Sequence, residues 1–280
     1  MFTKLKRSLR HNKYVWKYGL NRGPSFRFLF SPQRIEGQIK RIVNDLNKKG
    51  IAFSSIDELF ADKDLFIELK EAVKKLESDS KETIEQARQN VNNPTTDLGD
   101  KVFMQFLLGI NPKFDPQSIW YRFAIQEAFQ QIANAYFEMK EAEMRYYNVW
   151  YNIPFRGEPR ASQLWHRDWD DMQILKIFVY FNDVGPGGGP LSYAPDTHLK
   201  GTVKKNPKYR IESNYKRTRD DQMAEVISPE NWVTGTAKKF DIIFADTHGY
   251  HKGGHALESD RLLYTCMYLS PASTREMFSF

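Results

Sequence analysis

His166 and Asp168 form a His-x-Asp pair; His251 follows far downstream, and Arg261 comes ten residues after it (261 − 251). Two imidazoles and a carboxylate can hold a metal ion on one face and leave its other positions open, which suits non-haem Fe(II) centres that activate O2. An arginine beside such a centre offers a planar, permanently charged fork that takes a carboxylate through two parallel hydrogen bonds. The chemistry these residues point to is metal-assisted oxidation with a dicarboxylate cosubstrate.

Those side chains must be carried by elements that aim them at one point. Residues i and i+2 share a face of a strand, so His166 and Asp168 can reach one ion without a helical turn between them. Residues 174–181 (ILKIFVYF) are rich in β-branched and aromatic residues and run into a Gly/Pro cluster, which predicts a strand. Residues 239–245 predict another, leading into the polar stretch that holds His251, and residues 261–269 predict the next. A turn through Gly253-Gly254 would return that last strand antiparallel, with Arg261 beside the ion on a rigid element. His248, His251 and His255 compete for the third ligand position. His198 is expected to bond a loop, and His11 to be solvated. Asp170 has the strand parity of Asp168, but reads with Asp171 as charged turn residues.

With Trp165-His-Arg-Asp168, Gly189-Pro-Leu-Ser-Tyr-Ala-Pro195 and His251-Lys-Gly-Gly254 followed by Arg261, the chain resembles the Fe(II)/2-oxoglutarate-dependent oxygenases of the phytanoyl-CoA dioxygenase-like superfamily. The resemblance covers roughly residues 142–270. After the middle proline the sequence reads Asp196-Thr-His198, where the family often has Gly-Ser-His. The resemblance implies an α+β fold with a double-stranded β-helix (jelly-roll, cupin-like) core and packed N-terminal helices. It implies Fe(II) on His166, Asp168 and His251, 2-oxoglutarate as cosubstrate with its distal carboxylate on Arg261, and O2. Phe178 is implied as a wall of the cosubstrate pocket, core packing being the plainer role for it. The implied reaction is hydroxylation of an unactivated C–H bond, coupled to decarboxylation of 2-oxoglutarate to succinate. Related halogenases lack the carboxylate, so Asp168 favours hydroxylation; desaturation and cyclisation use the same ligands. Two other classes of function stand beside this one: a non-catalytic cupin-type metal- or ligand-binding protein, against which Arg261 argues, and a protein whose basic leader binds anionic surfaces.

That leader is residues 1–34, with nine Lys and Arg, no acid, and interleaved Tyr14, Trp16, Tyr18, Phe26, Phe28 and Phe30. It reads first as a solvated segment wrapping the core, and second as a patch for an anionic membrane surface. Residues 35–141 read as a mainly helical part packed on a core of 142–280, the whole forming one integrated domain. Apolar spacing predicts helices over 38–49, ending at Gly50, over about 54–76, and as one long helix over 116–140. The polar stretch 78–101 predicts a loop or lid, and the basic stretch 206–221 a substrate-facing insertion. A lone Cys266 excludes a disulfide framework and fits a reducing, cytoplasmic setting. No apolar run reaches membrane-spanning length. The expected partner is a small-molecule or carrier-linked substrate; no nucleic-acid signal stands out.

Overall fold

β-Branched and aromatic residues alternate along the central strands so that one side of each meets helices and the other a second sheet. The computed structural model describes residues 12–61, 63–91, 102–212 and 215–274. Its strands are β1 (Ile51–Ser55), β2 (Met104–Phe106), β3 (Glu143–Asn152), β4 (Leu175–Tyr180), β5 (Leu191–Tyr193), β6 (Arg210–Glu212), β7 (Tyr215–Arg217), β8 (Val233–Gly235), β9 (Asp241–Asp246), β10 (His251–Gly253) and β11 (Arg261–Leu269). The major sheet has the order β1-β9-β4-β11-β3-β2, the minor sheet β10-β5-β8, and β6 and β7 form a separate hairpin. Every pairing is antiparallel. Phe178, Tyr180, Ile243, Ala245 and Leu263 of the major sheet pack with Leu191 and Tyr193 of the minor sheet, which closes the expected jelly roll. Two strands of the major sheet, β1 and β2, come from the mainly helical half of the chain.

The opposite face of the major sheet carries Leu175, Ile177, Val179, Ile242, Phe244, Leu262, Tyr264 and Cys266, packed with Ile42, Leu46, Phe129, Ile132 and Tyr136 of the helices. The helix Gly37–Lys49 ends at Gly50, whose φ of 80° supplies the left-handed residue that closes a helix. The segment predicted as one helix over 116–140 is two, Ile119–Ala124 and Glu127–Phe137. Gln126 between them is extended, and its side-chain amide donates to the Arg122 carbonyl, supplying a partner at the break. Part of the predicted loop 78–101 is a helix, Lys81–Val91, because Ile84, Ala87 and Val91 make a narrow apolar stripe in an otherwise polar run. Ala87 and Val91 pack on Phe103, Met104, Ile153 and Phe155. The remainder of that stretch, 92–101, lies outside the described residues, as does His11.

Gly253-Gly254 does not close a hairpin. β10 pairs with β5, whereas β11 pairs with β3 and β4, so residues 254–260 cross from one sheet to the other. Gly189 (φ 64°) and Gly254 abut there: a Cβ on Gly189 would lie 2.4 Å from the Gly254 carbonyl oxygen. That contact pins the start of β5 to the end of β10 and delivers Arg261 to the opposite wall.

In the leader, Trp16 is buried and its indole N–H donates to Asp171. Asn21 is also buried; its amide donates to the Trp16 carbonyl and the Ser270 hydroxyl, and its oxygen accepts from Ala272 N–H. Tyr14, Tyr18, Phe26, Leu29 and Phe30 are exposed, so only part of the leader wraps the core. Among the described residues no helix is long and apolar enough to cross a membrane.

Candidate metal centre

His166 sits on the short stretch that pairs with β10: His166 N–H donates to the His251 carbonyl and His251 N–H to the His166 carbonyl. This reciprocal pair fixes the two imidazoles side by side, with ring centroids 4.3 Å apart. Asp168 follows, its N–H held by the Thr247 carbonyl. His166 Nε2 lies 4.0 Å from Asp168 Oδ1, and His251 Nε2 lies 3.7 Å from Asp168 Oδ2. One ligand atom from each of the three lies within 4.8 Å of the others, a span that a cation could draw together.

The donor chemistry fits a divalent cation. His166 Nδ1 is 2.8 Å from the Leu164 carbonyl and His251 Nδ1 is 3.1 Å from the Gly249 carbonyl. A carbonyl accepts only from a protonated nitrogen, so both rings are set as Nδ1–H tautomers with Nε2 bearing the lone pair toward Asp168. Burial lowers both imidazole pKa values, that of His166 well below the usual value, which keeps the rings neutral. Burial alone would raise the Asp168 carboxyl, but the Lys176 ammonium, 2.6 Å from Oδ2, holds it well below the usual carboxylate range. The site thus offers two neutral nitrogens and one anion.

Of the competing histidines, His248 packs edge-on to Trp169, His255 bonds the Phe155 carbonyl, and His198 is buried against the Asn47 carbonyl. Asp171 faces Trp16 and the Ser270 N–H rather than the centre. Asp170 lines the cavity. Cys266 is buried in the sheet, which pushes its thiol pKa up and makes it inert.

The centre opens into a cavity of about 520 Å³, within the size range of small-molecule sites. Phe178, Tyr180 and Leu263 of the inner face line it, with Trp150 and Asn152 of β3 and Leu191 of β5. Arg261 is buried on its wall and reaches toward β10, where a Cβ on Gly253 would lie 3.4 Å from Nη2. Its Nε has no hydrogen-bond partner among the described residues. Burial pulls its pKa down, the Tyr180 hydroxyl partly offsets this, and the group stays a cation. A buried guanidinium with an unmet donor calls for an anion.

Sequence reasoning missed Lys176, Tyr180 and Arg217 as cavity residues. For Lys176 a signal existed: it is the one charge in the apolar run 174–181, two residues from Phe178 and so on the same face. Arg217 belongs to the basic stretch 206–221 expected to face the substrate, within which no single residue stood out.

A family model described as phytanoyl-CoA dioxygenase (PhyH) matches residues 40–260. No curated protein matches the sequence. Among solved structures, the fold is similar to EctD from S. alaskensis with bound Fe (TM-score 0.58, 16% identity, covering 89% of this chain and 84% of that one). It is also similar to AviO1 from Streptomyces viridochromogenes Tue57 (TM-score 0.54, 18% identity, 86% of this chain and 98% of that one). A third similar structure is the epimerase SnoN in complex with Fe3+, alpha ketoglutarate and nogalamycin RO (TM-score 0.52, 14% identity, 86% and 87%).

Proposed function

The chain belongs to the phytanoyl-CoA dioxygenase family, and from that premise we propose that it is an Fe(II)- and 2-oxoglutarate-dependent dioxygenase hydroxylating an unactivated C–H bond of a small metabolite, free or linked to a carrier, lipid or saccharide. The observation that carries this reading is the convergence of His166, Asp168 and His251, with both Nδ1 atoms committed to carbonyls and both Nε2 atoms facing one ionised carboxylate. Iron with 2-oxoglutarate and O2 supplies the oxidising chemistry; the protein supplies position and a secluded cavity.

In this reading His166 Nε2, His251 Nε2 and an Asp168 oxygen hold the ion. Lys176 orients Asp168 through its ion pair. Arg261 takes the distal carboxylate of 2-oxoglutarate as a fork, with the Tyr180 hydroxyl beside it. Phe178, Trp150 and Leu191 wall the space between and keep water from it. The carboxylate ligand Asp168 favours hydroxylation over halogenation.

The test is succinate formation from 2-oxoglutarate by the purified protein with Fe(II), ascorbate and O2, beside a His166→Ala control. Turnover lost in the control supports the reading. No turnover, together with no 2-oxoglutarate binding by the metal-loaded protein, would leave a cupin-type binding protein in its place.

A second activity of the same chain is supported by the leader. Phe26, Leu29 and Phe30 are exposed, Phe30 at 82%, on a helix (Arg22–Phe30) bearing Arg22 and Arg27 and no acid. Aromatics beside cations suit an anionic membrane surface, and such docking would bring the enzyme to a lipid-linked substrate. Cosedimentation with phosphatidylserine-containing vesicles, weakened by salt and absent with phosphatidylcholine alone, is the expected result; equal behaviour with both would refute it.

A further inference from the structure

Arg261 can serve a dicarboxylate only if it stands at a fixed distance from the metal, and the chain that delivers it is the crossing between sheets, residues 254–260. The far end of that crossing is held by side chains. Asp260, the residue before Arg261, receives a fork from Arg88: Nη1 donates to Oδ1 (3.0 Å) and Nη2 to Oδ2 (2.8 Å). The Tyr151 hydroxyl donates to the same Oδ2 (2.6 Å). The main chain is bracketed as well. The Asn182 side chain donates to the Asp260 carbonyl (2.9 Å) and accepts from Leu262 N–H (2.7 Å), so one amide grips the backbone on both sides of Arg261.

Arg88 brings to this cluster an element from the other half of the chain. It stands on the helix Lys81–Val91, whose Ala87 and Val91 pack on Phe103 and Met104, and those two residues line the cavity. The helix thus leans on the cavity wall and holds the root of Arg261 at once. Arg88 and Asp260 are themselves outside the lining. Their side chains are 34% and 30% exposed, and an ion pair so close to water adds little to stability. Its planar two-point geometry, by contrast, fixes a direction. A displacement of about 1 Å in a group that positions a reactant can cost roughly a hundredfold in rate, so a pair that matters little to the fold can matter to the site.

We propose that Arg88 and Asp260 are positioning residues for Arg261, and that they set the length of dicarboxylate the site accepts. This rests on the oxygenase reading above, which makes Arg261 the partner of the cosubstrate's distal carboxylate. A rigid root discriminates against a chain one methylene too long; a loosened root yields to it.

Two diacids of different length separate the outcomes. The full chain, loaded with Mn(II), is titrated calorimetrically with 2-oxoglutarate and with 2-oxoadipate, one methylene longer. The wild type should favour 2-oxoglutarate by about tenfold or more, within the range that a single methylene commands. Arg88→Met and Asp260→Asn should each shrink that margin at least about threefold, while the Mn(II) Kd and the urea midpoint stay close to wild type. The double variant should lose no more than the worse single, because both act through one contact. Arg88→Lys keeps charge without the fork and should fall between wild type and Arg88→Met, so the test survives if methionine is not tolerated. An unchanged margin in the variants would overturn the proposal, as would a wild type without the margin. Equal weakening of the two diacids would also overturn it and assign the cluster to the fold alone. A metal-loaded wild type that binds neither diacid would overturn the oxygenase reading and this inference together, an outcome told apart from the others by the unaltered chain.

Discussion

On β4, Leu175, Ile177 and Val179 meet the helices, while Lys176, Phe178 and Tyr180 face the cavity. On β11, Leu262, Tyr264, Cys266 and Tyr268 lie in the helix-covered core, while Arg261 and Leu263 line the site. The strands are common to both faces, and a step of one residue changes the environment from wholly apolar to charged. A face sealed by helices has nothing to offer a charge, so it selects for volume and shape. A face that opens on a cavity can keep lysine and arginine desolvated because anions meet them there. Substitutions on the two faces should therefore separate stability from ligand binding.

The largest effect is expected on the helix-covered face. Phe244→Ala removes a ring 5.9 Å from that of Phe129 and should lower unfolding free energy by about 3–5 kcal/mol, measured by urea denaturation. Its 2-oxoglutarate Kd should stay near that of the wild type; a large rise would mean that the two faces are mechanically coupled. On the cavity face, Arg261→Met should weaken 2-oxoglutarate roughly ten- to hundredfold and leave the urea midpoint close to the wild type or higher, because a buried cation is removed.

Asp246 sits where the two faces meet and sharpens the comparison through pH. It is fully buried at the end of β9, accepting from the Tyr136 hydroxyl (2.5 Å) and from the Ile174 and His248 N–H groups. Burial pushes its pKa up to about 6. The folded state then binds the proton more tightly than the unfolded chain, so this residue's contribution to stability is greatest at low pH. It declines as pH rises from about 4 to about 6 and is flat above. Comparing wild type with Asp246→Asn in urea at pH 4 and pH 7 should move the difference in the variant's favour by up to about 3 kcal/mol. A difference that does not change with pH would show that the fold does not raise the Asp246 pKa.

The smallest stability effect belongs to the exposed leader surface. Replacing Phe26, Leu29 and Phe30 together by Ser should shift unfolding free energy within about 0.5 kcal/mol per site while removing vesicle binding. Retained binding would assign the attraction to the basic residues alone.

Much of this division was legible in the sequence. The runs 174–181 and 261–269 announced their strands through β-branched and aromatic residues, and His166-x-Asp168 offered two candidate ligands that gained force only from His251 and Arg261 downstream. His251 was separated from His248 and His255 by its spacing to Arg261 and by family resemblance, because periodicity treats all three alike. The break at Ile125-Gln126 was hidden, since a glutamine that bonds back to Arg122 leaves the apolar spacing undisturbed. The helix Lys81–Val91 was hidden for the opposite reason: three apolar residues suffice once Phe103 and Phe155 provide a surface for them. The basic stretch 206–221 was expected to face the substrate, and Tyr215 and Arg217 within it line the cavity; which of its residues turn inward depends on how the hairpin folds over a neighbouring segment.

The hydrogen bond from Trp16 to Asp171 also bears on where this chain can be cut. Asp171 is three residues from Asp168, is buried, and takes one of its donors from the leader. Shortening the protein to begin after residue 34 would strip that donor, along with the Asn21 bonds to Ser270 and Ala272, and leave a desolvated carboxylate short of a partner next to the candidate ligand Asp168. A shortened protein that loses activity would therefore report on Asp171 as much as on the leader, and surface substitutions are the cleaner instrument.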